Sequence, residues 1–541
     1  MQQTQRILCT VLFLCGSALS PAYGQTCSVA GGSLRAPTPA DDAAQGYAVN
    51  DLWQACGHVW RALSVKTHAA VWRMVPSSGL PADPFGQHAL FAGGTVRLVS
   101  GYTGHALDVT LTVQGQTVNQ TLDITAGGAL DTTPLHARDA GTYAVVTRVY
   151  DQSGRGHNLE AVPGKAVVHV GEVEVNGQPA LSWGEQNGPG GFTLPAGLSV
   201  DASSFFFGTI GAYASSNSGY AAYPVPLLLG QEGHEFKVYF GGYELDGFVH
   251  VADAASQDQR LNLVVTNSPA TFSVWAHDAA YHVQSGNMQA TGRGKMTVPT
   301  LKGGYIGFNA DGGEWFSQGR NTGIWTGLIL ADHVNDAGAV EQFQAEAALQ
   351  GRQTPQERNA LVVLGDSRSE GFRVADGRNW PQQAQAYGHY QSYNLAVSGA
   401  TTRHLLGMLP AAAQVAAHSG SRVAVVFGGF NDHLNHIGYD ETLANLNKII
   451  QGLQALQYYV VLVAEAPTDP TLRNRLISAQ ANGALHPDAM VDPFTPGTVL
   501  SDPGNTQYWD KDYTHFTAQG EAELAKQIWA SISVGFARNV H

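Results

Sequence analysis

The chain is short of charge, of cysteine and of long apolar runs, and each shortage removes a class of function. Only 13% of its 541 residues are charged, with 29 Lys and Arg against 43 Asp and Glu and a formal net charge of −14. Nucleic-acid binding needs basic stripes that neutralise phosphates, and this composition supplies none. A mostly neutral, polar surface is compatible with neutral glycans instead. The apolar run from Ile7 to Leu19 is too short to cross a bilayer and no other run approaches that length, so stable membrane insertion is not expected. The four cysteines form no ligand set for a metal. No Gly-x-Ser-x-Gly elbow occurs, which counts against the hydrolase fold built on that turn.

Arg6 before the apolar run, and the small residues of Ala22-Tyr23-Gly24 after it, read as an export signal, residues 1–24, cleaved before Gln25. The expected location is therefore periplasmic or extracellular. Neither Cys15 nor Cys27 stands in a lipoprotein anchor context. Cleavage leaves Cys27 and Cys56, two lone cysteines that an oxidising compartment favours as a disulfide worth about 3–4 kcal/mol, against two buried thiols.

By length alone the chain holds roughly three or four domains. Residues 25–80 carry Trp53, Trp60 and Trp72 in a small β pattern, where a thin core uses tryptophan more often than sugar stacking does. Residues 84–335 read as almost entirely β: Val96 to Val99, Tyr143 to Val149 and Phe236 to Phe240 are short alternating runs broken by Gly and Asn turns. The 63 glycines suit such a loop-rich region. Many short strands at this spacing suggest a sandwich or jelly roll. A helix at Ala339 to Leu349 and a polar stretch with Pro355 mark a linker, 336–358. From 359 to 541 continuous apolar runs at Leu361 to Leu364, Val423 to Phe427 and Tyr459 to Val463 read as parallel strands covered on both faces. Leu443, Leu446, Ile449, Ile450, Leu453 and Leu456 form one helical stripe, and a last helix from Thr517 carries Leu524, Ile528 and Ile532. The arrangement is an α/β/α sandwich with a parallel sheet.

Ser367, in Gly365-Asp366-Ser367, follows the first of these strands, where ligands of open α/β sheets bind. Alone, Gly-Asp-Ser is as easily a turn or a helix cap. A serine hydroxyl needs a base to take its proton, and Asp512 with His515, three residues apart before the last helix, supplies a base and its orienting group. Gly399, in Ser398-Gly399-Ala400, offers a backbone N–H at close approach, and Asn431, in Gly429-Phe430-Asn431-Asp432, offers a side-chain amide; these suit an oxyanion hole with the Ser367 N–H. His433 and His436 lack the further partners a metal site needs and read as loop residues, so no metal and no cofactor is expected. Tyr508, Trp509 and Tyr513 suit a pocket lining and core packing equally.

Ser367, Gly399, Asn431 and His515, in that order and with Asp512 three residues before the histidine, resemble the four signature blocks of the SGNH (GDSL-like) hydrolases across residues 358–541. The resemblance implies a flavodoxin-like sheet, an acyl-serine intermediate and no metal. Arg368 after the nucleophile and Phe516 after the histidine depart from the family's common residues, and both are expected to alter the pocket. Leu98 to Gly104, Val149 to Gly154, Gly304 to Gly307 and Trp325 to Leu330 resemble the concanavalin-A-like sandwich of α-L-arabinofuranosidases, residues 84–335. No pair of carboxylates of the kind glycosidases use can be placed there; Asp151, in an Asp-Gln-Ser-Gly turn, reads as bonding its own backbone. The resulting expectation is a carbohydrate esterase removing acetyl or another small acyl group from a polysaccharide. The rivals are a lipase, arylesterase or thioesterase with the same triad, a glycan-binding protein, and a glycosidase acting through the β-sandwich.

Overall fold

The computed structural model describes residues 26–538 except 30–31, 36–39, 46–51, 56–57, 76–78, 165–167, 184–189, 214–224, 232–233, 242–245, 254–257, 278–279, 287, 294–299, 308–322, 335–336, 350–358 and 375–376. The export signal and Cys56, with the disulfide expected at it, lie outside the described residues. Among the described residues no helix is long and apolar enough to cross a membrane.

The first tryptophans lie in a three-stranded antiparallel sheet, Leu52–Ala55, His58–Ser64 and Val71–Val75. Trp53 and Trp72 meet edge to face at 5.9 Å, and all three tryptophans are half-buried. The sheet is tied to the helix Ala337–Leu349 by an ion pair, Arg61 Nη1 to Glu341 Oε1 at 2.6 Å.

A large antiparallel β-sandwich follows, its strands running from Ala89–Gly94 to Gly323–Ala331. Its central strand, Phe205–Tyr213, is buried along its whole length between Ala270–His277 and Gly323–Ala331. Side chains alternate across a strand, and both of its faces are covered. Phe205 and Phe207 enter the core between sheets, while Phe206 turns the other way onto Phe343 of the helix at a centroid distance of 5.2 Å. The run Val96 to Val99 differs from expectation: it forms an isolated bridge, Val96 to Ala129, and not a strand. The Gln152 side-chain amide takes the place of a neighbouring strand, accepting from Leu98 N–H at 2.7 Å and donating to Val96 C=O at 2.9 Å.

In the C-terminal lobe five parallel strands, β1 (Ala360–Gly365), β2 (Gln391–Asn394), β3 (Arg422–Phe427), β4 (Tyr459–Val463) and β5 (Ala489–Val491), lie in the order 2-1-3-4-5. That is the flavodoxin-like order, with its switch point between β1 and β3. Alternation again assigns the faces. Val362, Leu364, Ala424, Val426, Val460 and Leu462 pack with Leu446, Ile449, Ile450 and Leu453 of helix Tyr439–Ala455. Leu361, Val363, Val423, Val425, Val461 and Val463 pack with Leu524, Ile528 and Ile532 of helix Ala518–Arg538.

The junction between the lobes was not legible beforehand. β2 is an edge strand, and the turn Thr266-Asn267-Ser268 of the sandwich covers that edge. Asn267 N–H donates to Ser392 C=O at 2.7 Å, and Ser392 N–H donates to Ser268 Oγ at 2.9 Å. A bare strand edge invites pairing with another chain, and this turn removes the invitation. Buried residues of both lobes accordingly form one contiguous apolar cluster.

Candidate active site

The site is assembled at the carboxyl ends of β1, β2 and β3. After β1 the chain enters a four-residue helix, Ser367–Glu370, capped by Asp366, whose carboxylate accepts from Arg368 N–H at 3.1 Å. Gly371 closes the turn in the left-handed region at φ 95°, where an added Cβ would stand 2.6 Å from Asn379 Cβ. Ser367 is thereby placed at the start of a helix with its backbone N–H unused: among the described residues neither the Ser367 nor the Gly399 N–H has a protein partner. Gly399 sits in a turn at φ 78°, closed by Ala400 N–H to Val397 C=O at 3.0 Å. Asn431, almost fully buried, donates one Nδ2 hydrogen to Ala400 C=O at 3.1 Å and keeps a second.

His515 Nε2 lies 2.8 Å from Ser367 Oγ, and His515 Nδ1 lies 2.7 Å from Asp512 Oδ2. The turn that makes this possible is local. Asp512 Oδ1 accepts from the N–H groups of Thr514 and His515, each at 3.0 Å, and Tyr513 between them is held at φ 59°. Burial alone would raise the Asp512 pKa, but the bonds from the His515 backbone and imidazole, then from Thr514 N–H, outweigh it and hold the carboxyl at about 2. Phe372 packs against the imidazole at 4.6 Å between centroids.

Five residues that the sequence reading did not single out support this geometry. Arg373 donates through Nη1 to Asp512 Oδ2 at 2.8 Å and to Asp510 Oδ2 at 2.7 Å. Glu370 accepts from both the N–H and the hydroxyl of Ser398, joining the serine helix to the Gly399 turn. Asp432, next to Asn431, accepts from Thr402 N–H at 2.7 Å and Thr442 Oγ1 at 2.8 Å, fastening that turn to two helices. Asp366 and Glu465 bracket the guanidinium of Arg368, which is almost wholly buried. The one sequence signal for any of these was Asp366 at a helix-cap position; the others depend on contacts distant in sequence.

The expected influence of Arg368 on the pocket needs correcting. Its side chain turns inward, with the guanidinium 4.3 Å from the Phe427 ring centroid and 5.4 Å from that of Phe430, where the carboxylates of Asp366 and Glu465 match its fork. Phe516 is also core, 4.5 Å from Trp509 between centroids. Trp509 is therefore packing, Tyr508 is partly buried against the same cluster, and Tyr513 is 56% exposed beside the triad. His433 and His436 are exposed, His433 stacking on Tyr439 at 5.5 Å. Asp151 in the sandwich is consumed by its surroundings: its oxygens accept from Ala92, Ser153 and His157 N–H at 3.2, 2.8 and 3.1 Å.

Serine, imidazole and carboxylate in line, beside unused backbone donors at the switch point of a flavodoxin-like sheet, can carry acyl transfer. Residues 363–522 match the GDSL-like lipase/acylhydrolase family. The acylhydrolase match supports hydrolysis of the lipase or esterase type. No curated protein matches the chain. Among solved structures, an arabinofuranosidase complexed with arabinofuranosyl-α-1,2-xylobiose is similar at 15% identity and a TM-score of 0.40, over 51% of this chain and 66% of that one, so the present chain spans just under two thirds of its length. TesA is similar at 21% identity and a TM-score of 0.28, over 32% of this chain and 99% of its own. The psychrotrophic esterase EstA from Pseudoalteromonas sp., inhibited by monoethylphosphonate, is similar at 17% identity and a TM-score of 0.27, over 32% and 97%.

Proposed function

We propose that the chain is a serine esterase in which Ser367 is the nucleophile, His515 the base and Asp512 its orienting group. Ser367 Oγ attacks the ester carbonyl while His515 Nε2 takes its proton. The proton then passes to the departing alkoxide, leaving an acyl-serine. Water attacks that intermediate, His515 again taking and returning a proton, and the carboxylic acid leaves. The N–H groups of Ser367 and Gly399 and the Asn431 amide hold the oxyanion of both tetrahedral species. The observation that carries this reading is the continuous line from Ser367 Oγ through the imidazole to Asp512, at 2.8 and 2.7 Å.

The finer part of the proposal is an acetyl or similarly small acyl group on a polysaccharide, with residues 84–335 as the glycan-facing domain and 359–541 as the hydrolase domain. Its support is the lectin-like character of the sandwich sequence, the low charge of the chain and an exposed Tyr513 ring at the triad, suited to stacking on a sugar. The amino-terminal basic and apolar pattern supports export to where such polymers lie.

Labelling by a fluorophosphonate probe is expected in the wild type and lost in Ser367→Ala, together with ester hydrolysis. Acetate release from acetylated xylan or a bacterial exopolysaccharide, set beside p-nitrophenyl esters of increasing chain length, tests the substrate. A preference for long acyl chains with no acetate released from any glycan overturns the carbohydrate assignment. Unchanged labelling in Ser367→Ala overturns the site, and reducing-sugar release surviving that change would move the chemistry to the sandwich.

A further inference from the structure

We propose that Asn267 of the β-sandwich is a positioning residue for the nucleophile turn of the hydrolase lobe, so that the sandwich takes part in building the site; this rests on Ser367 being the nucleophile. Asn267 is 1% exposed. Its Nδ2 donates to Tyr213 C=O at 2.7 Å, which anchors the amide to the last residue of the central strand Phe205–Tyr213. Its Oδ1 accepts from Asn394 N–H, the outward-facing donor at the end of β2.

Asn394 is fully buried and serves two parts of the site. Its Nδ2 donates to Ser369 C=O at 2.8 Å. The Ser367 carbonyl of this short helix accepts from Gly371 N–H at 3.1 Å, and the Asn394 bond takes up the Ser369 carbonyl, so it helps fix the helix that starts at Ser367. Asn394 Oδ1 accepts from Ala396 N–H at 3.2 Å, at the start of the segment that leads to Gly399. One amide thus holds both the nucleophile helix and the approach to an oxyanion donor, and Asn267 holds that amide's backbone from the other lobe. The two residues are 127 apart in sequence.

A side chain that only stabilised the lobe junction would affect the folded fraction and leave each folded site as active as before. A positioning residue lowers turnover per folded site, since small displacements far from the chemistry cost rate steeply. Thr266 supplies the contrast. It belongs to the same turn, and its Oγ1 shares its hydrogen between Gln391 Oε1 at 2.8 Å and Ser392 C=O at 3.2 Å, neither of them an atom of Asn394.

The test uses the full chain and p-nitrophenyl acetate, a substrate too small to need a glycan-binding surface, with active sites counted by fluorophosphonate titration. Asn267→Ala is expected to lower kcat per titrated site by about tenfold or more with KM within about twofold, whereas Thr266→Val lowers thermal stability and leaves kcat per site unchanged. Asn267→Asp is expected to recover at least half of kcat. Burial keeps its carboxyl neutral, so it offers the same acceptor to Asn394 and a donor to Tyr213. If Asn267→Ala does not fold, the Asn267→Asp and Thr266→Val pair decides. Wild-type kcat per site in Asn267→Ala, an equal fall in Thr266→Val, or kcat in Asn267→Asp below half that of Thr266→Val overturns the proposal. Ser367→Ala is run in parallel: if it retains labelling and turnover, the reading of the nucleophile has failed, and that result is distinct from any outcome at Asn267.

Discussion

Replacing Arg368 by Met should destabilise the C-terminal lobe severely, because Arg368 is 1% exposed and its charge is held only by other buried groups. The guanidinium makes four side-chain bonds: Nε to Asp366 Oδ1 at 3.0 Å, Nη2 to Asp366 Oδ2 at 2.7 Å, Nη2 to Glu465 Oε2 at 3.2 Å, and Nη1 to Glu465 Oε1. Both carboxylates are about as buried as the arginine. Burial opposes the charge on Arg368, but the attraction of Asp366 and Glu465 outweighs it and raises its pKa further. Removing one partner from such a group leaves uncompensated buried charge, a loss of about 3–5 kcal/mol. Each carboxylate keeps one backbone donor, Asp366 from position 368 at 3.1 Å and Glu465 from Ala466 at 2.8 Å, which puts the expected loss nearer 3 kcal/mol. Against a typical total of about 5–15 kcal/mol that is a large share. Asp366→Asn and Glu465→Gln added to Arg368→Met should recover most of it, because neutral side chains of the same shape bear burial without a counter-ion. Urea unfolding followed by tryptophan fluorescence, with proteolysis assigning the transition to the hydrolase lobe, measures this. A loss under about 1 kcal/mol in Arg368→Met, or a triple variant no more stable than the single one, refutes the argument.

Asn431→Ala should lower kcat by about 10²–10³ with little change in KM, the usual result of removing one oxyanion donor; an unchanged kcat in steady-state kinetics removes Asn431 from that role. Glu370→Ala should lower kcat without loss of probe labelling, since it frees the Ser398-Gly399 turn while leaving Ser367 and His515 in contact; a change confined to melting temperature counts against it. Stability should fall at both ends of the pH range. The Asp512 carboxyl is held at about 2, below its ordinary value, so its contribution is present above about pH 4 and disappears as pH falls towards 2; after allowance for solvent screening it is of order 1 kcal/mol. His250 is opposed: burial lowers its pKa, but Asp246 and Asp258 overcome this and raise it to about 9, so its contribution is present below about pH 6.5 and is lost as pH rises through 9. Thermal melts of Asp512→Asn and His250→Phe across pH check both limbs, and melting curves parallel to wild type at each extreme would falsify the assignment.

The sequence by itself determined whatever depends on period and on short-range turn chemistry. Continuous apolar runs marked β1, β3 and β4, because a parallel strand covered on both faces has no polar side to show. The Asp512 to His515 spacing is one turn long, so the carboxylate-imidazole contact was legible within four residues. The Val96 to Val99 run misled because alternation reports which side chains are buried and not what satisfies the backbone; the Gln152 amide that does so lies 54 residues from Leu98. Only the tertiary structure decided that Arg368 faces inward, since that depends on Glu465, 97 residues away. It alone decided that Glu370 grips the Gly399 turn and that the sandwich completes the edge of the hydrolase sheet. These contacts are made by single polar side chains between distant segments. Such a group leaves no periodic trace, and its partner is known only when the chain has closed around it.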